Sequence, residues 1–232
     1  MRNLSVILLI LITVCTSWGR KIPDRAYAGD TTITSFTIKS DISEIGEAAF
    51  EGCKNLQTII FEENSSLKDV GKRCFAWCEN LESIELPSGL LTIGTDAFIY
   101  CFNLKWITLP PGLTKIGMNA FSFCKSLSEI TIPSSVNTIG SYAFSSCSNL
   151  RHVTLPDNPS ILGELIFASC LNIESITELS PIPPAFECNS FLIEPDETDI
   201  YRKCTLYIKT ESESVYSSSP GWRLFSKITA DR

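Results

Sequence analysis

Ten cysteines and a single histidine are the side chains of this chain with the most chemistry to offer. Thiolates ligate metals and attack electrophiles, and paired thiols oxidise to disulfides. Six of the ten form a series: Cys53, Cys78, Cys101, Cys124, Cys147 and Cys170 are 23 residues apart, except for one step of 25 between Cys53 and Cys78. A zinc site needs ligands that converge, and a linear series does not converge. If the series marks stacked strands, about 4.8 Å apart, its neighbours fall within the Cα range of a disulfide. Equivalent positions in successive layers, however, aim their Cβ atoms the same way, which a disulfide does not tolerate. The expectation is packing as small apolar residues, with oxidation of some pair as the alternative. Cys74 lies four residues before Cys78 and reads as one more buried small residue. Cys188 and Cys204 fall outside the series, and a bridge between them is left open.

His152 excludes a multi-histidine metal site. A Ser-His-Asp set would require His152 to meet an activated serine and an orienting carboxylate, and the sequence nominates neither. There is no phosphate-cradling glycine loop and no nucleophile elbow. The reading is therefore a chain with no catalytic residues, no metal and no cofactor, with a hydrolase whose site lies near the C-terminus as a remote alternative.

The cysteine series is one column of a longer repeat. Leu104, Ile107, Leu109 and Pro110 recur as Leu127, Ile130, Ile132 and Pro133, Ile116-Gly117 as Ile139-Gly140, and Ala120-Phe121 as Ala143-Phe144. The phenylalanines continue the beat at Phe50, Phe75, Phe98, Phe121, Phe144 and Phe167. A fixed period of this length is the sign of a stacked repeat. Alternating apolar positions predict seven strands beginning near Ile33, Leu56, Leu81, Leu104, Leu127, Leu150 and Ile173. A turn follows each, often opened by proline, then a second short extended piece ending at the apolar-Gly pair, where glycine would permit a bend. One or two helical turns, such as 95–101, would complete the unit. The longer step after Cys53 places Glu62-Glu63 in a surface loop, beside the glycosylation sequon Asn64-Ser65-Ser66, which matters only in a eukaryotic host.

Residues 1–19 read as a secretory leader, with Arg2 ahead of an apolar run from Val6 to Val14 and small residues near the cleavage site. The run is short for a membrane span, and lipidation at Cys15 is the alternative. After leader cleavage no segment is long and apolar enough to be integral to a membrane. A net charge of −7 with no basic run argues against nucleic acid. Residues 20–32 are polar and read as a lead-in, 33–179 as the solenoid, and 180–232 as a C-terminal cap over its exposed end. Within the cap a strand is expected at Thr205–Ile208, a helix over 211–219, and a last helical turn over 224–228. Trp222, Phe225 and Ile228 would close the final repeat.

The unit L-x-x-I-x-L-P…I-G-x-x-A-F-x-x-C-x-x-L, over about 33–228, resembles the BspA-like branch of leucine-rich repeats. The tail from Cys204 to Ile228 is similar to the ending of secreted Bacteroidetes members. It departs from the commonest leucine-rich repeats in lacking their asparagine ladder. The resemblance implies an α/β solenoid, a right-handed superhelix of ~23-residue repeats (strand, turn, short helix) with a C-terminal cap. It also implies a secreted or surface-held protein with a role in adhesion or partner recognition, and supplies no catalytic residues.

With Leu104, Ile107 and Leu109 inward, the strands show two columns to solvent. One is Ser35, Thr58, Ser83, Trp106, Glu129, His152 and Ser175; the other is Thr37, Ile60, Glu85, Thr108, Thr131, Thr154 and Thr177. Threonine there is plain β-propensity. Trp106 is not, because exposed aromatics are enriched at binding hot spots. Trp106, Lys105, Glu129, Arg151 and His152 form the candidate patch for a protein or glycan partner, and the oligomeric state is left open. The alternative is a structural component of the cell envelope, with Trp106 merely covering a neighbour.

Overall fold

The computed structural model describes residues 20–157, 160–178, 180–184 and 199–231. The chain winds as a parallel β-solenoid, each turn contributing one strand to each of two faces. On the first face, two-residue strands end at the apolar-Gly pairs: β1 (Lys21–Ile22), β3 (Glu44–Ile45), β5 (Asp69–Val70), β7 (Thr92–Ile93), β9 (Lys115–Ile116), β11 (Thr138–Ile139) and β13 (Ile161–Leu162). They pair in that order as one parallel sheet.

The second face carries all seven expected strands. The first four are β2 (Ser35–Ile38), β4 (Thr58–Phe61), β6 (Ser83–Glu85) and β8 (Trp106–Thr108), which form one ladder. The others are β10 (Glu129–Thr131), β12 (His152–Thr154) and β14 (Ser175–Glu178), in a second ladder. The ladder is interrupted between β8 and β10. The two residues by which one repeat is longer lie in the loop after β4, where Asn64 takes a left-handed φ of 57° that asparagine tolerates.

The lead-in has more structure than its polarity indicates. Ile22 pairs with Ile45, and Tyr27 stacks on Phe50 with ring centroids 5.0 Å apart. Ile22, Ala26 and Tyr27 stand 23 residues before Ile45, Ala49 and Phe50, so 20–32 is a degenerate copy of the repeat. Its beat is hidden because Pro23 and Asp30 occupy the Gly46 and Cys53 positions.

The expected helical turns are not helices. In the coil after β7, the N–H groups of Ala97, Ile99 and Cys101 donate three residues back, to the carbonyls of Gly94, Asp96 and Phe98. The intervening N–H groups of Asp96, Phe98 and Tyr100 donate to Met118, Ala120 and Ser122 of the next coil, at 2.8–2.9 Å. A helix spends its amides within itself, whereas here every second one joins neighbouring coils. Left-handed φ values at Asp96 and Tyr100 (56° and 62°) turn those groups outward and break any helical run.

The core is a set of columns. Phe50, Phe75, Phe98, Phe121, Phe144 and Phe167 are fully buried and stack in near-parallel pairs at 5.2–5.5 Å between centroids. Beside them the cysteine column is reduced and buried throughout. Each thiol reaches the aromatic carbonyl of the preceding coil: Cys53 to Tyr27, Cys78 to Phe50, Cys101 to Phe75, Cys124 to Phe98, Cys147 to Phe121 and Cys170 to Phe144, all at 3.0–3.3 Å. The column therefore packs as expected and also satisfies buried acceptors, since a thiol is a weak donor. Burial raises Cys53 to about 11 and Cys78, Cys124 and Cys147 well above the usual range. Cys74 is buried as well. Cys204 is a buried thiol, and the other half of its proposed bridge, Cys188, lies outside the described residues, as does Cys15.

The glycines of the apolar-Gly pairs hold ordinary φ values, so the bend expected of them is not their purpose. A Cβ at Gly117 would stand 2.5 Å from the backbone of Gly94 and Thr95 in the coil before. Glycine here sets how closely the coils approach.

Towards the C-terminus two more parallel strands follow, β15 (Thr205–Lys209) and β16 (Lys227–Asp231), extending the second ladder beyond β14. The strand at 205–208 is as expected. The helix expected over 211–219 is a 3-10 turn at Thr210–Ser212 running into a short α-helix at Glu213–Ser218. The last helical turn is corrected: a 3-10 turn at Trp222–Leu224 gives way to β16, whose Ile228 and Ala230 point inward in too short a run to betray a strand. Trp222 and Phe225 are buried, with Ile228 packed partly against them. Trp222 Nε1 donates to the Pro184 carbonyl at 3.0 Å, and the Tyr216 hydroxyl to the Ser180 carbonyl at 3.0 Å, tying this segment to the chain leaving β14.

Two measurements check this account. Gly117→Ala is expected to cost about 3 kcal/mol or more in urea unfolding, because the clash is with backbone. Gly112→Ala, whose Cβ would meet only the Ser88 carbonyl at 3.7 Å, should stay within about 0.5 kcal/mol. The buried thiols are expected to resist alkylation in the native state and to react completely in denaturant. Because the folded pKa values of Cys53, Cys78, Cys124 and Cys147 are raised, these thiols add stability that is whole below the unfolded thiol value and lost as pH rises through it towards about 11 at Cys53. Chemical denaturation between neutral pH and pH 11 reads that loss.

Candidate binding surface

Strand pairing aligns the outward side chains into the columns expected of them. Ser35, Thr58, Ser83 and Trp106 stand in register across β2 to β8, and Glu129, His152 and Ser175 across β10 to β14. The neighbouring column runs Thr131, Thr154, Thr177 and then Tyr207 in β15. A period-2 pleat with one buried face leaves these positions no alternative.

The five candidate residues lie on three successive coils of this face and are all exposed. Trp106 is 48% exposed despite its size. The charges are held by neighbours in their own column. Lys105 Nζ is 2.8 Å from Glu82 Oε2, and Arg151 bonds Glu174, each one coil away. Both pairs are solvent-exposed and near-balanced in charge, so the patch is polar without strong sign.

The structure does bring a serine to His152: Nδ1 is 2.9 Å from Ser175 Oγ, with Glu129 the strand partner on its other side. The row has the residue types of a Ser-His-acid set in the wrong arrangement. Nucleophile activation needs the carboxylate bonded to the imidazole, and among the described residues Glu129 makes no hydrogen bond to His152. The row also lies on a flat strand face. The cavity found among the described residues is elsewhere, about 400 Å³, lined by Asp24, Arg25, Glu47, Ala48, Glu51, Lys72 and Arg73 of the first coils. No three His, Cys, Asp or Glu side chains among the described residues cluster as a metal would require.

Two features escaped the sequence reading. Asn55, Asn80, Asn103, Asn149 and Asn172 recur two places after the cysteines. Asn103 Nδ2 donates to Asn80 Oδ1 at 3.0 Å, while Asn55 and Asn172 donate to backbone carbonyls one coil back. An asparagine column thus exists, on the surface. The second is an aromatic column one place before the cysteines. Trp77 stacks on Tyr100 at 3.9 Å between centroids and Tyr100 on Phe123 at 4.7 Å, with Phe102 edge-on to the first two. Both columns are visible as 23-residue recurrences, and neither interrupts the apolar pattern that first draws the eye.

Fold and repeat together define a leucine-rich repeat solenoid. The BspA type leucine-rich repeat region matches in six copies over residues 20–87 and 68–186, and the chain belongs to that family. A leucine-rich repeat protein from Bacteroides ovatus shares the fold, with a TM-score of 0.58 and 24% identity over 79% of this chain and 47% of its own. The leucine-rich repeat protein of T. pallidum is similar at a TM-score of 0.50 and 28% identity, over 67% of this chain and 61% of its own. The chain spans about half the length of the B. ovatus protein it matches. No functionally curated protein matches the sequence. Among the described residues no helix is long and apolar enough to cross a membrane.

The exposed ion pairs predict their own insignificance for stability. Lys105→Ala and Arg151→Ala should each change unfolding free energy by less than about 1 kcal/mol, as thermal or urea melts will read, leaving both positions usable as probes of binding.

Proposed function

We propose that this chain is an exported recognition module whose second strand face binds a protein partner outside the cytoplasm, with Trp106 as the anchor. The observation that carries the reading is a large indole left half in solvent on a parallel strand face whose other outward positions, Ile60 and Tyr207 apart, are small or polar. Its burial in a partner would supply apolar area that the free protein gains nothing by exposing. Glu129, His152, Lys105 and Arg151 would form the polar rim, whose contacts set orientation more than affinity. The short apolar run between Arg2 and the small residues ahead of Arg20 supports export through a cleaved leader. Repeat solenoids recognise partners through extended surfaces of this kind, and the family membership supports an interaction module without naming a ligand.

The experiment is a pull-down from extracellular matrix and from the cell's own envelope, with the parent and Trp106→Ala in parallel. Capture of a defined protein, weakened about tenfold or more in the variant with unfolding unchanged, is the expected result. Capture indifferent to Trp106 would remove the site from this face. Retention with the cell's own envelope would favour a structural role.

A further inference from the structure

We propose that the outer face of Trp77 is a second binding site, for a neutral hexopyranose unit of a glycan, seated in the layer of the aromatic column where Gly52 carries no side chain. The column runs Gly29, Gly52, Trp77, Tyr100, Phe123, Ser146 and Ser169, one residue per coil. All seven hold left-handed φ values, from 58° to 77°. That conformation suits glycine and strains a bulky residue. Three consecutive aromatics are therefore not what the backbone asks for at these positions. Their mutual stacking offsets part of that cost, and the rest points to a use for the rings.

The stack advances one ring per coil and stops abruptly. One face of Trp77 lies on Tyr100. In the layer on its other side stands Gly52, where an added Cβ would find only Gly29 atoms, at 3.7 and 3.8 Å, and beyond it Gly29, where a Cβ would meet nothing within 4 Å. Trp77 is 36% exposed. A ligand ring entering that layer would continue the stack, with indole on one side and a glycine shelf beneath.

The rim says what kind of ring. Glu51, next to Gly52, is bonded by both Arg25 and Arg73. Lys54, two residues after Gly52, pairs through Nζ with Glu79 Oε1 at 2.8 Å, and Asn80, next in the chain, accepts from Asn103. The charged residues next to Gly52 and Trp77 in the chain are thus matched in pairs, which suits a ligand of hydroxyl groups, each both donor and acceptor, and not a charged one. The electron-rich indole face attracts the polarised C–H groups on the apolar side of a pyranose. A nucleotide would bring phosphate to a protein of net charge −7 in which Arg25, Arg73 and Lys54, the cations next to Gly52, are already paired with carboxylates. A proline-rich peptide needs slots between rings, and these rings lie against one another.

The test is calorimetric titration of the full mature chain with maltotriose, cellotriose, mannotriose and lactose. Saturable binding of at least one, in the millimolar range or tighter, is expected. It should weaken about tenfold or more in Trp77→Gly, which installs the residue already present at the equivalent position 52, and persist in Trp106→Ala. Gly52→Tyr, which puts a ring of the protein's own into the layer, should block the sugar equally and serves if Trp77→Gly does not fold. Absence of saturable binding to all four sugars, or binding that survives either substitution in a folded protein, overturns the proposal. Loss only in Trp106→Ala would overturn it too, by assigning the sugar to the strand face.

Discussion

Everything in this protein depends on how closely one coil can lie on the next. A single coil has too little apolar surface to hold itself together, and its residues are ordered only by burial against neighbours. The glycine column sets that distance: Gly94, Gly117 and Gly140 lie over one another with no room for a methyl group between backbones. At this separation three things become possible together. Two-residue strands can ladder, alternate turn amides can reach the next coil, and phenylalanine rings and thiols can meet their counterparts one layer away. A fault in the approach would loosen all three, since they share one spacing.

The same spacing shapes the surface. Any side chain pointing outward is repeated, at one coil's remove, by whatever stands 23 residues on, so the exterior is organised as columns. Charged columns neutralise themselves by alternating, as Lys105 does with Glu82 and Arg151 with Glu174. Exposed pairs of this kind contribute little to stability, but they leave faces without strong net sign. Against such a background the exposed rings stand out: Trp106 and, further along, Tyr207 on the strand face, and Trp77, Tyr100 and Phe123 together on the turn side. The two lie on different sides of the solenoid and would be read by different ligands.

The cysteines show why chemistry should be argued from geometry. Cysteines in such number would, in an oxidising compartment, ordinarily imply a disulfide framework. In a column every thiol has the same direction as its neighbour, and the carbonyl of the preceding coil lies nearer its reach than another sulfur. From Cys78 to Cys170 each donates to a phenylalanine carbonyl of the preceding coil, and burial raises thiols such as Cys101. His152 and Ser175 make a related point, since a contact of 2.9 Å between catalytic residue types is here a consequence of strand register.

The sequence by itself determined the period, the inward columns, the seven strands of the second face and the set of side chains shown to solvent. A 23-residue recurrence constrains all of these at once, because inward and outward follow from alternation within each copy. It did not reveal that 20–32 is a further coil, since Pro23 and Asp30 disguise the beat, nor that a second strand follows the one at 205–208 in the tail, since Ile228 and Ala230 are too few to establish a period. Only the tertiary structure decided where amides of the turns find their acceptors, and so that the third side is a ladder of turns and not helices. A hydrogen bond to the next coil and one within the same coil demand the same residue types nearby; the difference lies in left-handed φ values and in the position of a neighbour, and neither is written in a local pattern. The Trp77 stack is of the same kind. Its residues recur visibly, but whether rings one coil apart touch, and what lies beyond the last of them, is settled only when the coils are laid together.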